Sequence, residues 1–238
     1  YKIFQIKKQI IINMILLIFN FFIIINIKTY IAIAIFSGFL TWFYGLRVES
    51  IKTTFVRFLF VPIALILFIS SFLILYNNLE ILGLQEYQDV DQTLEQAQVI
   101  QQDLLRDEQY GSNSYDVGEI DGTFSGMLKV APIAIFTAIL RPTVLEIGSP
   151  AMIFSAVENL ILTIYITIIF LKVNPVRFFR YLFSDSFLVS SFVFILILGF
   201  GVGIAGTNFG ALVRYRIPLI PFFYSMMFII SKKSSKML

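Results

Sequence analysis

Six apolar runs, at residues 9–27, 30–46, 55–76, 150–171, 186–206 and 217–231, constrain this chain more than any other feature. A helix needs about 20 mostly apolar residues to cross the hydrocarbon of a bilayer. Only helices and closed barrels satisfy every backbone N–H and C=O there. The first run is interrupted only by Asn13, Asn20 and Asn26, and the second and last runs are short. The expected fold is all-α: a polytopic integral membrane protein with about six transmembrane helices. Composition agrees, with 58% hydrophobic and 14% charged residues, against about 45–50% and 25% in ordinary soluble domains. Run 9–27 has a basic flank, but no small-residue cleavage site precedes the next apolar run, so it reads as a span and not a signal peptide. The chain starts at Tyr1 and is read as part of a longer protein.

Orientation follows from Lys and Arg in the short connections. Lys2, Lys7 and Lys8 precede the first run, and Arg47, Lys52 and Arg57 separate the second from the third. Lys172, Arg177 and Arg180 follow the fourth, and Lys232, Lys233 and Lys236 follow the last. Six spans put all of these on one side, the cytoplasmic one, with both ends of the chain. The opposite side receives Lys28, residues 77–149, Arg214 and Arg216. The net charge of +3 hides this division: residues 77–149 carry −9 and the rest carries +12. Heavy use of Ile, Phe, Asn and Lys suits an AT-rich bacterial genome, so the expected location is a bacterial inner (plasma) membrane. Three parts result: spans one to three in 1–76, an acidic extracytoplasmic region in 77–149, and spans four to six in 150–238.

Within the acidic region, residues 84–108 place Tyr87, Val90, Leu94, Ala97 and Leu104 at three- and four-residue spacing, the signature of an amphipathic helix. Residues 111–122 (GSNSYDVGEIDG) read as a loop. Residues 124–140 are apolar but short, and carry Lys129 and Pro132. They read as a re-entrant or interfacial helix, since a seventh span would move the later basic clusters outside.

Several chemistries are excluded. The chain has no Cys and no His, hence no disulfide, thiolate metal site, imidazole base or Ser-His triad. No phosphate-binding G-x-x-x-x-G-K-[ST] loop occurs. No metal, cofactor or nucleic acid is expected. Candidate catalytic groups are Asp116, Glu119 and Asp121 in a Gly-flanked loop, where carboxylates can act as a general base or orient sugar hydroxyls; a solvated turn is the plainer reading. Asp89 and Asp91 form a D-x-D pair inside the amphipathic segment, where a surface role suits them better. Candidate binding groups are Arg214, Tyr215 and Arg216 at the outer mouth, with Arg141 beside Glu146. A guanidinium's planar fork suits phosphate, whereas pairing with the acidic loop or snorkelling to headgroups is the alternative. Glu158 lies about eight residues into the fourth run, where an ionisable group is costly. It is either functional, with Asn159 and Ser155 in one polar patch, or the partner of an Arg on a neighbouring helix. Gly199, Gly203, Gly206 and Gly210 are expected on one helix face for close packing, and Pro218 and Pro221 to make the start of the last span irregular.

The stretch TNFGALVRYRIPLIPFF (207–223) resembles the C-terminal part of bacterial envelope-glycan membrane proteins. These are the O-antigen polymerase and ligase type and related polyprenyl-phosphate-dependent glycosyltransferases. The resemblance implies glycan polymerisation or transfer from an undecaprenyl-pyrophosphate-linked donor on the outer face, with Arg214 and Arg216 holding the pyrophosphate. The chain departs from that family in having six expected spans and no His. The expected partners are therefore membrane lipid and a polyprenyl-linked glycan. Two other classes stay open: a transporter or flippase using Glu158 and the glycine-rich fifth run, and a non-catalytic subunit docking a protein partner through its acidic loop.

Overall fold

The computed structural model describes residues 10–27, 29–48, 66, 114–118, 124–205 and 208–235. The third expected span and the amphipathic segment 84–108, with Asp89 and Asp91, lie outside the described residues apart from Ile66. The described helices are α1 (Ile10–Ile27), α2 (Thr29–Val48), α3 (Phe124–Leu140), α4 (Pro150–Lys172), α5 (Pro175–Leu182), α6 (Ser186–Ala205), α7 (Phe209–Tyr215) and α8 (Leu219–Ser235). A short 3₁₀ turn, Val144–Glu146, joins α3 to α4. Among the described residues there is no strand, only a single antiparallel bridge between Ser114 and Asn208. Within α4 and α6, Met152–Lys172 and Ser186–Ile204 are long and apolar enough to cross a membrane, and α7 with α8 makes a third such segment if read as one broken span.

Helix α6 is the hub, and its main neighbours are α2, α3 and α8. Leu188, Leu198, Leu212, Leu219 and Ile230 are buried in the shared core. Contact with α2 runs antiparallel: Gly38 faces Phe194 and Ser190, while Tyr44 packs on Val189 and Val193. A Cβ on Gly38 would stand 3.3 Å from that of Phe194, and the Ser190 hydroxyl donates to the Gly38 carbonyl at 2.8 Å. Ser37 and Thr41 bond back to Ile33 and Ser37 carbonyls one turn earlier, so these buried hydroxyls need no further partner.

Contact with α3 is closer still. A Cβ at Gly203 would collide with the Ala134 backbone, coming within 2.8 Å of its Cα. Glycine is required because two helix backbones occupy the space a side chain would fill. Segment 124–140 is thus one α-helix through Pro132, packed flush on α6.

The glycine pattern divides differently from expectation. Gly199 and Gly203 lie on α6, Gly206 is outside the described residues, and Gly210 belongs to α7. The division has a distant and a local cause: Asn208 takes extended backbone and pairs with Ser114, far away in sequence, and its side-chain oxygen accepts from the Gly210 N–H at 2.8 Å, starting a new helix. A second break follows at Arg216–Pro218, where α7 and α8 meet at 63°. Pro221 then falls in the first turn of α8, where its missing N–H costs little.

These contacts sort the charges. The end of α2, the end of α4, all of α5, the start of α6 and the end of α8 share one end of the bundle, tied by Phe170 on Phe178 and by Lys233 on Asp185 at 3.2 Å. Arg47, Lys172, Arg177, Arg180, Lys232 and Lys233 therefore stand at this end. Residues 114–118, 141–149 and 208–218 form the opposite end.

Gly203→Ala is expected to lower stability by about 1–3 kcal/mol through overpacking. Gly199→Ala, whose Cβ would meet its nearest neighbour at 3.5 Å, should be tolerated. Thermal unfolding in detergent decides: equal midpoints for the two variants would refute the close α3–α6 contact.

Candidate functional site

Two arginines and their acceptors occupy the end of the bundle opposite the basic clusters. Arg214 and Arg216 are two apart in sequence, and residues at that spacing do not share a helix face. Arg214 points outward and donates from Nε to the Gly210 carbonyl of its own helix at 3.1 Å. Arg216, the C-cap of α7, turns inward and is 1% exposed. Tyr215 between them is half-buried.

The inward turn matches a need of α3. A helix leaves its last carbonyls without intrahelical donors, and its C-terminus favours a cation. Arg216 Nη1 donates to the Arg141 carbonyl at 2.8 Å and to the Ile139 carbonyl at 3.4 Å. Nη2 faces Glu158 of α4, 3.9 Å from its Oε2, too far for a hydrogen bond. Nη2 is buried and makes no hydrogen bond. Glu158 itself is half exposed, so the pair joins an enclosed cation to an accessible carboxylate.

Arg141 is held from every side. Its Nε donates to Glu146 Oε1 at 2.7 Å, Nη2 pairs with the same oxygen, and Nη1 reaches the Asp116 carbonyl at 3.3 Å. The guanidinium carbon lies 5.3 Å from the Tyr115 ring centroid and 5.4 Å from that of Phe209, within cation–π range of both. Those two rings touch each other at 5.1 Å, and the Tyr115 hydroxyl donates to the Gly203 carbonyl at 3.3 Å. Burial pushes the Tyr115 phenol well above its ordinary value, with the nearby Arg141 charge opposing weakly, so it stays a donor.

Glu146 Oε2 accepts from the Thr143 N–H and hydroxyl, each at 2.8 Å, forming a capping box on the 3₁₀ turn. Partial burial pushes its carboxyl up, but the bonds from Arg141 and Thr143 outweigh that and hold it below the ordinary value. Asn159 is buried, and its amide donates to the Pro142 carbonyl at 2.8 Å while its Oδ1 has no hydrogen-bond partner. Arg216 and Asn159 thus grip adjacent carbonyls of the Arg141–Pro142 segment, one with an unmet donor and the other with an unmet acceptor.

Of the expected site residues, the structure gathers Arg141, Arg216 and Glu158, and sets Arg214 apart. The Asp116 carboxylate closes a local turn, accepting from the Gly118 N–H at 2.7 Å where Gly118 takes φ 101°, and only its backbone carbonyl meets Arg141. Glu119 and Asp121 lie outside the described residues. Among the described residues no group of three Asp, Glu, His or Cys could hold a metal ion. Sequence reasoning missed Tyr115, Phe209 and Thr143. The Thr143-x-x-Glu146 spacing is a readable cap signature, whereas nothing local marks Tyr115 or Phe209 as the walls around Arg141. Compared with family models, curated proteins and solved structures, the chain matches none.

The depressed Glu146 value fixes a sign. Its contribution to stability is present above the ordinary glutamate value of 4.5 and is lost as pH falls through the lower folded value. Glu146→Gln should therefore be less stable than the native chain at neutral pH, with the gap closing as the buffer is acidified. Unfolding midpoints across that range test this; a gap independent of pH would refute the ionic role of Glu146.

Proposed function

We propose that this is a polytopic protein of a bacterial inner membrane, acting in envelope polysaccharide assembly, and that Arg216 engages the pyrophosphate of a polyprenyl-linked glycan at the outer face. The observation that carries the reading is the Arg216 Nη2, a buried cationic donor without a hydrogen-bond partner at a break between two apolar helices. Phosphate oxygen is the natural acceptor for such a group, because a charge-assisted bond removes the penalty of the unmet donor. Large apolar side chains stand open on the outer helices, with Ile11 75%, Phe154 82% and Leu171 82% exposed. Exposed large apolar side chains of this kind suit lipid contact and not water. The basic clusters gathered at one end suit a cytoplasmic side, which would put the arginine site outside. We read the six-span topology with this orientation.

In the proposed reaction an acceptor hydroxyl attacks the anomeric carbon of the carrier-linked sugar and the carrier pyrophosphate leaves. Arg216 stabilises charge on the leaving group. Glu158 holds the guanidinium until the anion displaces it, and Asp116, Glu119 or Asp121 takes the proton of the acceptor. A second reading, translocation of the lipid-linked unit, draws on Glu158, a half-exposed carboxylate on a helix long enough to span a bilayer.

Arg216→Lys keeps the charge but loses the fork, and should cut glycan chain extension at least about tenfold. Arg214→Ala should have a much smaller effect, since that side chain bonds its own helix. Polymer ladders on gels, normalised to membrane protein level, read the result; full-length polymer from Arg216→Lys and Arg216→Gln at native level would sink the proposal. Loss of lipid-linked unit at the outer face in Glu158→Gln, with extension of externally supplied unit intact, would favour translocation.

A further inference from the structure

At the basic end of the bundle, α5 (PVRFFRYL) is an eight-residue helix between two longer ones. Asn174 starts it, its side-chain oxygen accepting from the Val176 N–H at 2.8 Å, and Pro175 occupies its first turn. Phe178, Tyr181 and Leu182 form one face and are buried against the bundle, with Phe178 stacked on Phe170 of α4. The remaining surface divides lengthwise. At 3.6 residues per turn, Val176 and Phe179 adjoin on one flank, 68% and 49% exposed, and Arg177 and Arg180 adjoin on the other. Leu171, one residue before the end of α4, is 82% exposed. Lys172 and Lys232 are exposed at the same end. The acid described there, Asp185, is already engaged by Lys233 at 3.2 Å and by the Phe187 N–H at 3.0 Å. Among the described residues, Arg177 and Arg180 form no ion pair.

A short helix with one face bound to protein, an apolar flank and a basic flank fits the boundary between acyl chains and headgroups. Its net positive charge selects an anionic surface. We propose that α5 is a binding site for anionic phospholipid: Arg177 and Arg180 hold the phosphate, Lys172 and Lys232 add attraction, and Val176, Phe179 and Leu171 enter the acyl layer. The proposal rests on the reading of the chain as a membrane protein and is independent of the glycan activity at the opposite end.

The test uses the full chain in nanodiscs of phosphatidylcholine containing a minor fraction of fluorescent phosphatidylglycerol, measuring enrichment of the label around the protein. Native protein should enrich the anionic lipid over a neutral labelled lipid, and high salt should reduce the enrichment. Arg177→Gln with Arg180→Gln should lower the affinity about tenfold, while Arg177→Lys with Arg180→Lys should recover most of it. Because these side chains are exposed, native unfolding midpoints are expected for both variants. Equal enrichment of anionic and neutral lipid by the native chain, or unchanged enrichment in the glutamine variant, would overturn the proposal. Alkaline carbonate extraction separates the two levels: native protein that stays with the membrane but shows no lipid preference refutes this site alone, whereas native protein released by carbonate refutes the membrane reading and this site with it.

Discussion

A guanidinium taken out of water has to be met by acceptors or its burial is prohibitive. Arg216 is met by carbonyls at the end of α3, which are themselves groups that a helix terminus leaves without donors. Two deficits from different parts of the chain cancel. Because the donor sits at the break between α7 and α8, the bond sets where those helices part relative to α3. The same segment of chain carries the Arg141 side chain between Tyr115 and Phe209, so residues 114–118 and the start of α7 are bound to the same point. Replacing Arg216 by an apolar residue would do more than delete a charge: the α3 carbonyls would lose their donors, and Glu158 would face no cation.

The close contact of α3 and α6 is the geometric condition for that arrangement. Gly203 lets the two backbones touch, and its carbonyl then receives the Tyr115 hydroxyl. A side chain at this position would push α3 outward and carry the Arg141–Pro142 segment away from both Arg216 and Asn159. Steric and polar requirements therefore converge on one short region, where α3 ends, α6 ends and α7 begins.

The apolar runs made α4 and α6 legible to within a residue or two, since a long uniform run leaves the chain no other low-energy form in an apolar setting. The end of α6 was not legible. Four small residues at helical spacing suggested one continuous face, but the helix stops because Asn208 pairs with Ser114, a contact far apart in sequence that local pattern cannot report. Arg214 and Arg216 show a different kind of failure. Their two-residue spacing already implied opposite directions on a helix, so their separation was available from the sequence and was masked by treating Arg-x-Arg as a unit. The alternative of Glu158 as partner to an arginine on a neighbouring helix could be framed from depth alone, yet its identity depended on the 63° break that brings Arg216 back toward α4.

Basic residues in the described helices have two overlapping causes, and separating them decides which charge is informative. On the proposed membrane reading, the positive-inside bias accounts for the clusters at one end. Helix dipoles account for cations at C-termini wherever those termini fall: Lys172 ends α4, Arg180 ends α5, Arg214 ends α7, and Lys232 with Lys233 ends α8. Arg214 fits the second cause by its position in the last turn of α7; it is exposed and bonds the Gly210 carbonyl of its own helix. Arg216 serves the C-terminus of α3 in the same way through Nη1, so one nitrogen of its fork has a structural duty. Neither cause requires Nη2 to be buried without a hydrogen-bond partner beside a half-exposed carboxylate. A structural cap needs one donor direction; the second lies 3.9 Å from Glu158 Oε2 at the break between α7 and α8, and it is the group on which the proposed pyrophosphate contact rests.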